Sequence, residues 1–320
     1  MDNLMTHEPV MLAEMVNALA PRDGGVYLDA TFGGGGYTRA ILRAAECRVI
    51  AIDRDPDAMA RARELAAGEP RLAVVQGCFS GMASMIVNAG YSRVDGIVLD
   101  VGVSSFQLDD ASRGFSFRND GPLDMRMAAE GESAADLVAT RTPEELARIF
   151  RQFGDEPEAG RVARAIVSRR VERPFVTTRD LAGVIADVKR KVRPGRDPAT
   201  QVFQALRMAV NDELGELETA LAAAMEILAP GGRLVVVAFH SAEDRLVKRF
   251  IDAESGHGRS VSRHMPVADG PVPRLRWLQR KAAQPSAGEV QRNPRARSAR
   301  LRAAERMAGD DAEPDWSAAA

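Results

Sequence analysis

The sequence predicts an α/β protein with a mostly parallel sheet into which an all-helical subdomain is inserted. Three observations predict this fold. The first hundred residues alternate short β-rich runs with helical patterns, as repeated βαβ units do. From residue 107 to 198 only helical patterns occur. After residue 200 a long helical pattern leads into another apolar run, so the sheet is expected to continue beyond the insertion.

Five strands are predicted from short runs that are rich in β-branched and apolar residues. They cover residues 26–30, 48–53, 72–76, 94–99 and 233–239. The clearest helix between them spans 55–67. Asp55 is a typical N-cap residue, Pro56 suits the first helical position, and Gly68 suits the end.

Helical patterns fill the insertion and the segment that follows it. One helix is predicted over 142–153, where a Thr and a Glu three residues later form a capping box, and another over 178–191. A longer pattern over 200–228 places apolar residues three or four positions apart on one face. Asn211 and Asp212 mark a candidate break in it.

These patterns divide the 320-residue chain, which is longer than a single core usually supports, into domains. Residues 1–106 and 199–305 are predicted to form one discontinuous sheet domain, and residues 107–198 the inserted helical domain. Residues 306–320 are acidic and rich in Ala, and they are predicted to form a disordered tail.

Composition excludes several classes of protein. The longest apolar run, 234–239, is six residues, whereas about twenty are needed to cross a bilayer, so no membrane partner is expected. Residues 1–8 resemble neither a basic nor an apolar leader, which predicts a cytoplasmic protein. The only cysteines, Cys47 and Cys78, have no partner pair, so no disulfide framework and no metal site are expected.

Charge is unevenly distributed although the formal net charge is only −2. Residues 161–196 contain eleven basic and three acidic residues, and residues 274–302 contain nine basic residues and one acid. Such clusters are typical either of phosphate binding or of a solvated helix face or tail. We predict RNA contacts in the first cluster, at Arg169, Arg170 and Arg173.

The strongest local signal is a glycine run directly after the first predicted strand. Glycines lack a Cβ, so main-chain N–H groups and a helix N-terminus can approach a ligand closely. A dinucleotide site requires a third glycine at the place that Thr38 occupies. Asp29, Thr31, Gly33 and Gly35 instead resemble the first motif of methyltransferases that use S-adenosylmethionine.

The next two predicted strands end in residues suited to an adenosine. Asp53 closes the second strand, where a carboxylate can accept both ribose hydroxyls, although a strand-end turn would also explain it. Phe79 follows the third strand, where it can pack against an adenine ring or, equally well, in the core. These residues favour an adenosine-containing ligand without identifying it.

The fourth strand leads into Asp100, Ser104 and Ser105, where class I methyltransferases place residues that face both the methyl donor and the nucleophile. A base amino group is a poor nucleophile, so its site must accept the N–H hydrogens and orient the nitrogen. Asp100 and Ser104 are therefore candidate catalytic residues. His240 follows the fifth strand and is a candidate substrate-side residue, although a lone His is more often structural.

Several long blocks resemble one family, the RsmH (MraW) family of bacterial 16S rRNA cytosine-N(4) methyltransferases. The blocks are residues 29–38, 100–117, 203–218 and 239–248, and the similarity extends from His7 to Ser298. The resemblance implies a class I methyltransferase fold with a helical insertion for substrate recognition. It further implies S-adenosylmethionine as cofactor and the cytidine at position 1402 as target, within the small ribosomal subunit or a late assembly intermediate.

The resemblance also implies a set of cofactor-binding residues. They are Gly35, Gly36, Tyr37, Asp53, Phe79, Asp100 and Gln107. The chain departs from the family pattern at four places. Tyr37 replaces a common His, Phe106 a common Pro, Asp197 a usual His, and Gln201 a usual basic residue. The first two departures concern the pocket and the other two concern how the insertion meets RNA.

Two alternatives from other classes remain at this stage. A non-catalytic RNA-binding or ribosome-assembly module would keep the fold and use only its basic surfaces. An oxidoreductase that uses a nicotinamide cofactor is disfavoured by Thr38. Labelled methyl transfer discriminates the first alternative from an enzyme, and ligand-induced stabilisation discriminates the second.

Overall fold

The computed structural model describes residues 9–128, 130–190, 197–257 and 272–308. They form two compact units. Unit 1 takes its residues from Met1–Gly102 and Glu216–Ala320, and unit 2 takes its residues from Val103–Gly215. No helix among the described residues is both long and apolar enough to cross a membrane.

Unit 1 contains one seven-stranded sheet. Its strands are β1 Val26–Asp29, β2 Arg48–Asp53, β3 Leu72–Gln76, β4 Val94–Asp100, β5 Leu228–Ala238, β6 Leu275–Trp277 and β7 Arg300–Arg306. The spatial order is β3-β2-β1-β4-β5-β7-β6. The first five strands are parallel, and β7 runs antiparallel to both of its neighbours. The five predicted strands are confirmed, with ends shifted by one residue or, at the start of β5, by five.

Helices cover both faces of this sheet, as a parallel sheet requires. Those of unit 1 are α1 Leu12–Leu19, α2 Gly36–Ala44, α3 Pro56–Ala67, α4 Met82–Asn88, α12 Ser241–Glu254 and α13 Ala287–Arg292, while α11 Glu213–Ile227 begins in unit 2. Alternate strand residues point to opposite faces. Leu28 belongs to the core cluster that includes residues of α4, α11 and α12, whereas its neighbour Tyr27 belongs to the cluster that includes residues of α1, α2 and α3.

The predicted helix signals are confirmed. The N-cap of α3 is Asp55, whose side chain accepts from the backbone of Asp57 at 2.9 Å, and Gly68 is its C-cap. The pattern over 200–228 is divided where Asp212 adopts a left-handed φ of 45°.

Unit 2 is helical. Its helices are α5 Ser105–Asp109, α6 Ala134–Thr140, α7 Pro143–Gly154, α8 Ala159–Glu172, α9 Thr178–Val188 and α10 Thr200–Val210. The predicted capping box starts α7, and α9 ends three residues earlier than predicted. The unit has a core of its own, in which Phe150, Ile166 and Leu206 are fully buried.

The observed units differ from the predicted domain boundaries. Unit 2 extends over Val103–Gly215, whereas the insertion was predicted over 107–198. The difference arises because α10 packs its apolar face, including Phe203 and Leu206, into the core of unit 2. At the other end Arg306 belongs to β7, and the rest of the predicted tail from residue 309 lies outside the described residues.

Candidate active site

Three carboxylates lie at neighbouring strand ends of unit 1. Asp29, Asp53 and Asp100 are the last residues of β1, β2 and β4. These strands are adjacent and parallel, in the order β2-β1-β4, so their carboxyl ends meet at one edge of the sheet. In open α/β sheets this is the edge at which ligands bind.

Asp29 organises the loop that follows β1. It is fully buried, and it accepts hydrogen bonds from the Thr38 hydroxyl at 2.7 Å and from the Thr31 amide at 3.2 Å. Burial raises the pKa of Asp29 to about 6, and these two donors act against that rise. Asp29 therefore positions the glycine loop through Thr31 and Thr38.

Thr38 is a site residue whose role sequence reasoning missed. The signal was a hydroxyl residue at the position where a dinucleotide-binding loop has glycine. Arg61 was missed as well: its Nε atom, on α3, donates to the Gly33 carbonyl at 3.3 Å. No local pattern could indicate that contact, because the two residues are 28 positions apart.

The packing around the loop requires its glycines, because a Cβ would not fit there. Gly35 has a left-handed φ of 74°, and a Cβ there would lie 2.6 Å from the Phe32 ring. A Cβ on Gly36 would lie 2.0 Å from Pro9. The sequence reasoning expected these glycines to open the main chain to a ligand, and the structure adds that Phe32 and Pro9 already require them.

Tyr37 lies in the first turn of α2, but its side chain faces the core. It is 4% exposed, and its hydroxyl donates to the Val10 carbonyl at 2.5 Å. Burial raises the pKa of Tyr37 well above its ordinary value. Its contribution to a cofactor site is therefore limited to the main chain, because the first amides of a helix have no partner within the helix.

Asp53 joins the glycine loop to the end of β2. Its Oδ2 atom accepts from the Gly33 amide at 2.8 Å, and its Oδ1 atom accepts from the Asp55 amide at 2.9 Å. Each oxygen keeps a second lone pair that can accept a ribose hydroxyl. Burial raises the pKa of Asp53, and its two amide donors oppose the rise. Phe79 begins the 3₁₀ turn after β3 and is partly buried against the core.

Of the three strand-end acids, Asp100 has a buried carboxylate oxygen without a hydrogen-bond partner in the described part of the chain. Its amide donates to the Thr31 hydroxyl oxygen at 2.7 Å, but its buried Oδ1 atom has no hydrogen-bond partner among the described residues. Burial raises the pKa of Asp100 to about 8, with smaller contributions from the charges of Asp29 and Glu243. A buried ionised oxygen without a partner is costly, so this atom suits a ligand that brings a positive charge or an N–H donor.

Ser104 and Gln107 belong to unit 2, where each satisfies the other. The Ser104 hydroxyl accepts from the Gln107 amide at 3.2 Å, and the Gln107 side chain accepts from the Ser104 amide at 2.9 Å. This pair is the capping box that begins α5. A structural role thus accounts for both residues, whose predicted catalytic and cofactor roles stay predictions.

His240 lies at the same edge of the sheet as Asp100. It precedes α12, and it follows β5, in which Val237 pairs with Asp100. The His240 amide donates to the Glu243 carboxylate at 3.0 Å. Its predicted substrate-side role stays a prediction.

The three arginines predicted to contact RNA are largely engaged within unit 2. Arg169 bonds both oxygens of Asp180, at 2.8 and 3.2 Å, and Arg170 donates to two backbone carbonyls near the end of α6, at 2.6 and 2.7 Å. Arg173 is 71% exposed but also contacts Asp180, at 3.0 Å. Arg169 and Arg170 therefore have partners within the unit, and the RNA contacts of all three arginines stay predictions.

The strand order and the acids at the ends of β1, β2 and β4 define the class of protein. Parallel strands in the order 3-2-1-4-5, with a reversed strand beside β5, make unit 1 a class I methyltransferase domain. The sequence model of the MraW methylase family matches residues 4–307, and the chain belongs to that family. Both the predicted fold class and the predicted family are confirmed. No group of three or more potential metal ligands occurs among the described residues.

Relatives with assigned activities agree with this family. A protein of Rhodospirillum centenum is 57% identical over 302 residues, covering 94% of this chain and 92% of its own length, and one of Hyphomonas neptunium is 55% identical over 308 residues, covering 96% and 90%. Both are named ribosomal RNA small subunit methyltransferase H. An rRNA methylase structure from Streptococcus thermophilus is 9% identical, covers 93% of this chain and 94% of its own, and has a TM-score of 0.40. The fold assignment depends on the strand order and not on that similarity.

Proposed function

We propose that this protein methylates the N(4) amino group of the cytidine at position 1402 of 16S rRNA, with S-adenosylmethionine as methyl donor. The proposal is supported by membership of the methylase family and by relatives that are named for small-subunit rRNA. The observation that carries the chemistry is the buried, unpartnered Oδ1 atom of Asp100 at the carboxyl edge of the sheet. We place the reaction in the cytoplasm, on the small subunit or a late assembly intermediate.

The described residues of unit 1 fit the proposed cofactor. Asp53 has lone pairs for ribose hydroxyls, and Phe79 offers a ring face at the end of the next strand. The main chain at Gly36 and Tyr37 presents the first amides of α2, whereas the Gly35 amide donates to the Phe32 carbonyl at 2.6 Å, so Gly35 is retained only for the close approach that it allows. Asp100 offers an acceptor for a cationic group. When bound, the cofactor supplies an electrophilic methyl group on a positively charged sulfur.

Asp100 performs two tasks in the proposed reaction. Its carboxylate accepts an N–H hydrogen of the cytosine amino group, which orients the nitrogen lone pair toward the methyl group. The N–C bond that forms would replace the S–C bond of the methyl donor, whose electron pair stays on the sulfur. The nitrogen then carries one proton too many, and that proton passes to the Asp100 carboxylate. The pKa of Asp100 is raised in the unliganded protein, and a bound cationic donor favours the ionised carboxylate, which is the form that can take this proton.

The other sequence-predicted residues keep narrower roles in the proposal. Gln107 is retained as a cofactor residue, and Ser104 and His240 as substrate-side residues, on the resemblance and on their positions in the sequence. The helical insertion is proposed to recognise the substrate. Arg173 is the member of its predicted trio that stays exposed.

Methyl transfer to RNA tests the function. Small subunits from a strain that lacks the modification are incubated with the protein and labelled donor, and the modified nucleotide is located by mass mapping. We expect N(4)-methylcytidine at the decoding-region position. We also expect Asp100→Asn to lose at least about a hundredfold in rate, as removal of a general base does.

The matched control is Asp187→Asn, which changes an exposed carboxylate on α9. It should retain wild-type turnover. If folded wild-type protein binds the RNA but transfers no methyl group, the non-catalytic alternative is correct and the proposed function is wrong.

A further inference from the structure

The net charge of helix α12 does not show how its charged side chains are arranged. It contains four acids and three bases, so the sequence assigns it a net charge of −1. They are Glu243, Asp244, Asp252, Glu254, Arg245, Lys248 and Arg249. Neither basic run identified in the sequence includes this helix.

The acids of α12 all have partners within unit 1. Glu243 is fully buried and accepts from the amides of Phe239 and His240. Asp244 forms a two-bond ion pair with Arg302, at 2.6 and 3.0 Å. The two acids of the last turns also have partners: Asp252 accepts from the Trp277 indole at 3.1 Å, and Glu254 bonds Arg274 at 2.6 and 2.7 Å.

The three basic residues of α12 have no such partners among the described residues. Arg245, Lys248 and Arg249 are exposed, and in the part of the chain that the structure describes they form no hydrogen bond or ion pair. Spacings of three and four residues place them on one face of the helix. Asp244 and Glu254 are thus paired with arginines, whereas Glu243 and Asp252 accept N–H donors. Asp252 lies on the same face as Lys248 and Arg249, but its carboxylate turns to the Trp277 indole, so the three cations of the helix remain without a counter-ion among the residues that the structure describes.

Arg302 brings two further cations beside this helix. Besides holding Asp244, it donates to the Arg280 carbonyl at 3.4 Å, so the chain at Arg280 and Lys281 lies next to the first turn of α12. Both residues are exposed and lack an ion pair among the described residues. We call these five cations the α12 basic face: Arg245, Lys248, Arg249, Arg280 and Lys281.

The α12 basic face begins at the reactive edge of the sheet. Helix α12 starts three residues after β5 ends, and within β5 Val237 pairs with Asp100. A polyanion held on this face would therefore pass close to the edge at which the unsatisfied carboxylate lies.

We propose that the α12 basic face binds phosphates of the RNA strand that flanks the target nucleotide. This inference rests on the proposed function, since it assumes that the substrate is RNA. Exposed, unpaired cations in a row suit a phosphate backbone. A protein partner is less well suited, because the centre of a protein interface is depleted in charge and enriched in aromatic residues. None of the large exposed hydrophobic side chains that the structure describes lies on α12 or at residues 279–281.

The test compares two triple variants with the same change in charge. The first is Arg245→Gln, Lys248→Gln, Arg249→Gln. The control is the triple variant Arg43→Gln, Arg48→Gln, Arg93→Gln. These arginines lie at the end of α2, at the start of β2 and just before β4, so they are at the edge of the sheet opposite to Asp100. The binding of a decoding-region RNA fragment is measured across about 50 to 300 mM KCl, the range in which phosphate contacts dominate salt dependence.

We expect the α12 variant to bind RNA about 10- to 100-fold more weakly near 0.1 M salt, with a log–log salt slope that is smaller by about 2. The control should stay within about twofold of wild type, as should the affinity of both variants for S-adenosylhomocysteine. The single variant Lys248→Gln should reduce the slope by about 0.7, which tests the face with minimal perturbation.

Two results would overturn the inference. In one, the α12 variant keeps both the slope and the affinity of the control. In the other, naked RNA binds normally while methylation of the assembled subunit falls, which would assign the face to an acidic ribosomal protein. Absence of methyl transfer by the wild type, with intact RNA binding, would contradict the proposed function alone, because the binding comparison would still decide the role of this face.

Discussion

Charged side chains at the carboxyl edge of the sheet in unit 1 are satisfied differently from those buried in unit 2. In unit 2, Lys189 bonds Glu156 at 2.7 Å with side chains 3% and 0% exposed, and Arg207 holds Glu213 with two bonds of 2.6 and 2.8 Å. In unit 1, the strand-end acids Asp29, Asp53 and Asp100 have no cationic side chain paired with them among the described residues, and burial raises the pKa of each.

This difference distinguishes charged side chains that are paired within the fold from charged side chains that a ligand is expected to neutralise. A buried ion pair is complete once the chain has folded, and its partners cannot be removed singly without cost. A buried acid that lacks a cation destabilises the unliganded protein and is expected where a ligand completes the site. Asp100 fits this description best, because one of its oxygens also lacks a hydrogen bond.

The largest expected effect is in unit 2. Glu156→Gln removes the charge that neutralises the buried Lys189 ammonium, which would keep only neutral acceptors, among them the Pro198 carbonyl at 2.9 Å. We expect a loss of about 3 kcal/mol or more in the free energy of unfolding of unit 2, measured by denaturant titration.

The control for this prediction is an exposed pair in the same unit. Glu132 bonds Arg141 at 2.6 Å, with side chains 38% and 37% exposed, so Glu132→Gln should cost less than about 1 kcal/mol. Equal losses in the two variants would show that burial does not distinguish the pairs.

A smaller effect of opposite sign is expected at Asp100. Its pKa is about 8 in the folded protein, against an ordinary value of 3.8, so the folded state holds a proton that the unfolded state has lost between these values. The contribution of Asp100 to the stability of the wild type therefore falls as pH rises through that range. Asp100→Asn removes this dependence, and its advantage should grow from pH 4 to 8, reach about 2 kcal/mol or more, and then level off.

Thermal unfolding without ligand, followed across pH, measures the difference between the two proteins. Asp187→Asn, which changes an exposed carboxylate, should show a difference that varies little with pH. A variant at Asp100 that is uniformly less stable would mean that its carboxylate has a stabilising partner after all.

The smallest of these stability effects compares two neighbouring arginines of α8 and its C-cap. Arg170 donates to the Val138 and Arg141 carbonyls, whereas Arg173 is 71% exposed. Arg170→Gln should cost about 1.5 to 3 kcal/mol, as loss of hydrogen bonds from a charged donor does. Arg173→Gln should cost less than about 1 kcal/mol. Comparable losses would contradict the assignment of Arg170 to the interior of unit 2.

Local signals were sufficient for much of the fold. Short apolar runs predicted β1 to β5, and capping residues predicted the starts of α3 and α7, because these features depend on neighbours in sequence. Strands β6 and β7 are not among the five predicted strands. Arg302 was counted in the basic cluster at 274–302, which is typical of phosphate binding or of a solvated tail, yet it is neutralised by Asp244, 58 positions away.

The sequence predicted where the candidate site lies along the chain, but not which of its side chains already have partners within the protein. Glycines and acids at strand ends identified the loop, Asp53 and Asp100. The sequence could not show that Tyr37 turns inward, that Ser104 and Gln107 cap each other, or that Arg169 and Arg170 are occupied, because each depends on a contact formed only on folding. Counting charges in the sequence of α12 likewise could not show that its bases are unpaired within the described residues, because the partners of its acids are brought there only by folding.

The most direct test of the central claim is a calorimetric titration of the wild type and Asp100→Asn with S-adenosylmethionine at about pH 7, in buffers that differ in ionisation enthalpy. We predict that the wild type releases close to one proton more than the variant on binding, because a cationic ligand favours the ionised carboxylate. We also predict an affinity at least about tenfold higher for the wild type, since truncating a buried charged contact costs more than 1.4 kcal/mol. Equal affinity and equal proton release in the two proteins would contradict the claim that Asp100 holds the methyl donor.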